Sequence, residues 1–340
     1  MPTKRQPLLV VWALLALVTI TAALRGDDGA ASVAAGGIIL RKEPRITMHK
    51  EVLTIAENRV TVEFDFINDT SSDVTTTVAF PIPRRSYAPY PDTPIPKFDD
   101  FTVFVNSQPI SFETEIHATH NGHDYAKLLE GMGINVSNFA DGERYNSNGE
   151  LLPSQLVTLS PNNLSKLKSL GLVSADRNQK FWPNWTLATF YHWQQNFPAH
   201  QVVHIRHTYT PGTGQVQLPG EFFDPQYKPS NPGPHDYATN VKKFIDAACL
   251  TRWRRWEFEH VENLAVADFV DYILTSANTW KTPIADFQLI VDPANPSDPK
   301  NPFTPSFCWN GPIDKLSDGR LSGRARNFVP SKELRIYFWF

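Results

Sequence analysis

The stretch Val60-Thr61-Val62-Glu63-Phe64-Asp65-Phe66 alternates apolar and polar residues without a break. Successive side chains of a strand point to opposite faces, so Val60, Val62, Phe64 and Phe66 share one face of a half-buried strand. The turn-rich Asn68-Asp69-Thr70-Ser71-Ser72-Asp73 comes next, and Val74, Val78 and Phe80 then recur at even spacing. This pattern predicts an antiparallel hairpin. Phe101, Val103 and Val105 repeat the alternation, followed by the turn Asn106-Ser107-Gln108-Pro109 and a strand with Ile110 and Phe112. Near the end, Phe287 to Val291 and Leu334 to Phe338 are rich in sheet-favouring residues. The expectation is a mainly β protein, an antiparallel β-sandwich, immunoglobulin-like or similar, with two or three helical insertions.

Those insertions have local signals. His123 to Gly131 carries Tyr125, Leu128 and Leu129 near helical spacing. A second helix is capped by Ser160, starts on Pro161, aligns Leu164, Leu167 and Leu170, and ends at Gly171. A third is expected from about Tyr237 to Trp256, on Val241, Phe244, Ile245 and Ala248. Of the 28 prolines, six lie in Pro81 to Pro96, five in Pro219 to Pro234 and five in Pro293 to Pro305. Those stretches are loops, because proline removes a ladder donor. The organisation expected is a signal peptide over 1–23, a β-sandwich region over 24–120, a helical insertion over 121–180 and a mainly β region over 181–340. Residues 24–340 are alternatively one composite domain.

Composition bounds the class. Hydrophobic residues make up 41% of the 340, aromatics 12% and charged residues only 20%, enough apolar surface for a sizeable core. The 32 Lys+Arg against 35 Asp+Glu leave no basic excess, which argues against a nucleic-acid partner. Lys4 and Arg5 precede a charge-free run from Leu8 to Leu24, the shape of a secretory signal. At about 1.5 Å per residue this run reaches about 25 Å, short of the roughly 30 Å hydrocarbon core. The expected destination is periplasmic or secreted, with no permanent membrane span after cleavage. Two cysteines, Cys249 and Cys308, follow. In an oxidising compartment they are expected to form a disulfide, the alternative being two buried thiols.

A set of short segments, in order, resembles the bacterial exported family called domain of unknown function 4424. It comprises Ala34 to Leu40, Val78 to Pro83, Asn121 to Asp124, Trp185 to Leu187, Tyr191 to Trp193 and Phe197 to Ala199. His207 to Pro211, Tyr272 to Thr275 with Trp280, Pro283 to Phe287, Ser306 to Cys308 and Phe328 to Pro330 continue it. The resemblance covers about residues 34–340 and implies an exported bacterial protein. It carries no established activity, cofactor or catalytic residue.

Candidate sites follow from residue chemistry. His117, His120 and His123 stand at i, i+3, i+6, and three convergent imidazoles make a metal site, whereas separate ones are loop histidines. Trp182, Trp185 and Trp193 lie in an aromatic stretch that offers a ring for a glycan or a protein partner, or else packs the core. His204 and His207 fall on opposite faces of one strand, and His207 reads as a core histidine. Arg252, Arg254 and Arg255 alternate with Trp253 and Trp256, but Glu257, Glu259 and Glu262 offset their charge. No nucleophile elbow, phosphate loop, dinucleotide fingerprint or His-Glu-x-x-His pair is present. The reading leans to an exported cell-envelope protein that binds a partner, an envelope protein or a glycan, without catalysis and with no cofactor. A periplasmic enzyme with a dispersed site is the alternative. A third reading, an outer-membrane β-barrel, rests on the alternation of Leu334, Ile336, Phe338 and Phe340.

Overall fold

The computed structural model describes residues 29–34, 37–86, 100–136, 156, 158–175, 181–219, 246, 248–250 and 264–340. The expected signal segment, almost all of the expected helix at Tyr237 to Trp256 and the Arg252 cluster lie outside the described residues. The first strands are β1 (Gly29–Ala34), β2 (Gly37–Leu40), β3 (Ile46–Ile55), β4 (Val60–Asn68) and β5 (Val74–Pro81). They continue as β6 (Arg85–Ser86), β7 (Thr102–Val105), β8 (Gln108–Ile110), β9 (Glu113–His120) and β10 (His123–Asp124). Helices α1 (Ala126–Gly131) and α2 (Pro161–Ser169) come next. Then follow β11 (Val173–Ala175), β12 (Phe181–Pro183), β13 (Thr186–Phe197), β14 (Val202–Tyr209), β15 (Thr213–Pro219) and β16 (Leu264–Tyr272). After a 3-10 turn at Thr275–Thr279, the chain closes with β17 (Ile284–Val291), β18 (Thr304–Phe307), β19 (Ile313–Lys315), β20 (Leu321–Phe328) and β21 (Leu334–Trp339).

The protein is mainly β. The largest sheet runs β19-β20-β17-β3-β4-β14-β7-β8, and a second runs β10-β9-β13-β5-β1-β2, with β6 also on β13. A third runs β15-β16-β21-β18. All neighbours are antiparallel except β17 and β3, which are parallel. Strands from the expected 24–120 and 181–340 regions are interleaved: β14 pairs with β4, β13 with β5, and β17 with β3.

The alternation in β4 is realised, with Val60, Val62, Phe64 and Phe66 at 1% exposure or less. Its expected hairpin partner is corrected. β5 pairs with β13 and β1 in the second sheet, whereas β4 pairs with β3 and β14 in the first. The apolar faces of β4 and β5 both contribute to the main core, so residues 68–73 form an arch between sheets. Buried Asn68 holds that arch: its Nδ2 donates to the carbonyls of Ser72 and Phe197, and its Oδ1 accepts from the Thr70 amide. A direct hairpin would have placed both apolar rows on one face of one sheet.

The outward face of the largest sheet alternates charge across strands. Arg326, Asp286, Lys50, Asp65 and His204 occupy one cross-strand row, and His204 Nδ1 lies 2.6 Å from Asp65 Oδ1. A lipid-facing barrel wall carries no such row, so this face argues against the barrel reading. Among the described residues no helix is long and apolar enough to cross a membrane.

The second core is helical, as expected. Ser160 Oγ accepts from the Asn163 amide, Pro161 opens α2, and Gly171 takes φ +70°. Leu129, Leu156, Leu167 and Leu172 pack against Ala118, Trp185 and Leu187. The long β13 thus spans both cores, Leu187 in the helical one and Tyr191, Trp193 and Phe197 in the sandwich.

Candidate functional site

A cavity of about 360 Å³ opens where β17 and β20 meet the segment leading into β21. Phe287, Trp309 and Phe328 form its aromatic wall, with ring centroids 4.8–5.8 Å apart. Leu274 and Leu334 add aliphatic surface, and Val329, 58% exposed, stands in the wall. The indole of Trp309 lies so close to the backbone that a Cβ on Gly311 or Gly323 would come within 2.9 Å and 2.7 Å of it. Glycine in the interior of β20 therefore serves close approach rather than flexibility. Any side chain at Gly323 would push the indole off its seat.

The polar groups of the wall are few. Glu333 Oε2 accepts from the amides of Leu274 and Thr275 at 2.9 and 3.3 Å, and its Oε1 accepts from Thr275 Oγ1 at 2.8 Å. Its carboxylate is thereby committed to tethering the 3-10 turn. Cys308 also lines the cavity, and its sulfur is bonded to Cys249. The Glu333 carboxylate and the Cys308 sulfur are thus both committed to structural bonds.

The histidine triplet does not converge. His117, at an odd separation from His120 in β9, points to the other face of the sheet. Its Nδ1 lies 2.7 Å from Asp124 Oδ2, and its Nε2 approaches Glu115 Oε1 to 2.7 Å, off the direction a good N–H bond requires. Both nitrogens face carboxylates, which leaves no lone pair for a metal. His120 Nδ1 lies 3.0 Å from the Asn184 carbonyl, and exposed His123 sits opposite His120 across the β9–β10 pair. Among the described residues no group of three His, Cys, Asp or Glu could hold a metal ion.

The His117 cluster is a structural tie. Asp124 Oδ1 accepts the amides of Ala118 and Ala126, joining β9 to the start of α1, while Glu115 Oε1 accepts the Ile38 amide from β2. The hydrogen bond to Asp124, helped against burial by the charges of Asp124 and Glu115, raises the His117 imidazolium above its usual range. A raised histidine stabilises fully below about pH 6.5, and that contribution fades as pH climbs through the folded-state value. Burial works against ionising Asp124, but hydrogen bonds from His117, Ala126 and Ala118 outweigh it and hold this carboxyl low. His117→Gln is expected to cost about 1–3 kcal/mol at pH 6, since one partner of a charged hydrogen bond is lost. The gap between wild type and variant should narrow towards pH 9 in urea melts; a gap that does not change with pH counts against the tie.

The three tryptophans are inside. Trp182, Trp185 and Trp193 are 6%, 0% and 6% exposed, and Phe190 on the opposite face of β13 is covered by Ala31, Ile38, Ala79 and Ala188. With all three indoles buried, none presents a face for stacking, which corrects their reading as ligand contacts. His207 is fully buried, ringed by Phe64, Phe80, Phe101 and Trp193 at 5.1–5.7 Å.

The family model described as domain of unknown function (DUF4424) matches residues 26–337. The chain belongs to that family. No curated protein matches it. Among solved structures, a "putative nutrient binding protein" from Legionella pneumophila subsp. pneumophila str. Philadelphia 1 is similar at 16% identity and a TM-score of 0.40, covering 93% of this chain and 71% of that one. At that score the likeness carries no argument.

The sequence motifs of this DUF4424 chain did not reveal the cavity, because its walls come from positions as far apart as Leu274 and Leu334. One local signal was available. Gly311 and Gly323 both follow Trp309 in the chain, and a strand glycine often marks close backbone approach.

Proposed function

We propose that this chain is an exported, non-catalytic binding module of the bacterial cell envelope, and that the Trp309 cavity receives its ligand. The observation that carries the reading is the aromatic wall of Phe287, Trp309 and Phe328 around about 360 Å³, within the roughly 300–1,000 Å³ of small-molecule sites. Export is supported by the apolar run Leu8 to Leu24 behind Lys4 and Arg5, and by the bridged cysteines. The commitment of Glu333 and Cys308 to structural bonds favours binding over chemistry.

The test uses the uncharged fluorescent probe N-phenyl-1-naphthylamine with the oxidised chain. Saturable binding is expected, and Phe328→Ala and Val329→Asn should each weaken it about tenfold, as truncation of a well-packed contact does. Val329 is exposed, so its replacement tests the site without disturbing the core. Absence of saturable binding, or wild-type affinity in both variants, would remove the cavity as the binding site.

A further inference from the structure

The hairpin of β9 and β10 turns on two residues, Asn121 and Gly122, at φ +48° and +80°. Both are left-handed, as in the tight hairpin turn for which Asn-Gly is the preferred pair. The pair is also reactive, because a glycine has no side chain to keep its amide nitrogen from approaching the carboxamide before it. Nothing lies within 4 Å of where a Cβ on Gly122 would stand, and both residues are exposed, so water reaches them.

A histidine is aimed at the nitrogen that would leave. His120 Nε2 lies 3.2 Å from Asn121 Nδ2. Its Nδ1 lies 3.0 Å from the Asn184 carbonyl, which only accepts, so Nδ1 carries the hydrogen there and Nε2 is the nitrogen that faces Asn121. The carbonyl that orients the ring is itself held. The Asn184 amide donates to the Leu172 carbonyl at 2.9 Å, and Asn184 Nδ2 donates to the Gly171 carbonyl at 2.9 Å. Gly171 leaves room for the imidazole, since a Cβ there would stand 3.3 Å from Nε2.

We propose that Asn121 is a site of self-modification, deamidating through the Gly122 amide with His120 as general acid. The Gly122 nitrogen attacks Asn121 Cγ; the N–Cγ bond forms, the Cγ–Nδ2 bond breaks, and a succinimide and ammonia result. His120 gives a proton to the departing nitrogen and recovers one from water, which takes the proton that the Gly122 amide releases. Water then opens either ring carbonyl, to aspartate or isoaspartate, with nothing oxidised or reduced. The product places a negative charge between His120 and His123, next to the tie of Asp124 to His117.

The pair Asn310-Gly311 is an internal control, because its glycine is closed in. A Cβ there would meet Trp309 at 2.9 Å and the Arg324 carbonyl at 3.6 Å. The oxidised full chain is held at neutral pH, folded or in urea, then digested and mapped by mass at both asparagines. Folded, Asn121 is expected to convert about tenfold faster than Asn310, and in urea the two rates should converge. His120→Gln should slow Asn121 by at least about tenfold in the folded chain, since a positioned general acid contributes about 10²–10⁴, and should leave the rate in urea unchanged. An Asn121 that stays intact when folded but converts in urea overturns the site, as do equal folded rates at the two asparagines. An unchanged or faster rate in His120→Gln overturns the part given to His120.

Discussion

Trp280→Ala is expected to destabilise the protein by about 3–5 kcal/mol, the range for truncating a fully buried large aromatic. Trp280 has 0% exposure, with its ring 4.6 Å from Phe66 and 6.1 Å from Phe197. It thus joins β4 of the largest sheet to β13 of the second. Its backbone sits at the entry to the parallel strand β17: Glu43 bridges to Trp280, the Glu43 amide donates to the Thr279 carbonyl at 2.7 Å, and the Lys281 amide donates to the Ile46 carbonyl at 2.9 Å. A cavity there would loosen both the core and the crossover that sets β17 beside β3. Urea titration should show a lower midpoint with the slope unchanged, because the surface exposed on unfolding hardly differs. Thr208→Ala, on the outward face, is the control and should stay within about 0.5 kcal/mol. A loss below about 1 kcal/mol for Trp280→Ala would show that the two sheets are held together elsewhere.

What was legible in the sequence was local. The two-residue period of Val60 to Phe66 is imposed by one strand with one wet face, and a cap such as Ser160 acts within one turn, so both could be read from neighbours alone. Pairing is not local. The segment after Asn68 reads as a turn whether it closes a hairpin or an arch, and what decides is the Asn68 side chain reaching the carbonyl of Phe197, 129 positions away. Strand parity explains the histidines: spacing i, i+3 suits a helix face, but in β9 it splits His117 from His120. The cavity was beyond reach for the same reason as the arch. Its walls exist only once β17, β20 and the Glu333 tether are in place.

Cys249→Ser with Cys308→Ser is expected to cost about 4 kcal/mol, the chain-entropy value for a loop of this size, less whatever order the unfolded chain retains. The bridge spans 59 positions, with the two Cα atoms 5.2 Å apart. It fastens a segment whose Ala248 and Leu250 are fully buried to the end of β18. Cys308 also lies in the cavity wall beside Trp309, so the double variant should bind N-phenyl-1-naphthylamine more weakly as well. Dithiothreitol should lower the melting temperature of the wild type to that of the double variant and leave the double variant where it is. An unmoved wild type would mean that the segment is held by packing alone. The contribution exists only where thiols oxidise, so the same chain retained in a reducing cytosol should melt with the reduced form. That dependence ties the full stability of the fold to an oxidising compartment.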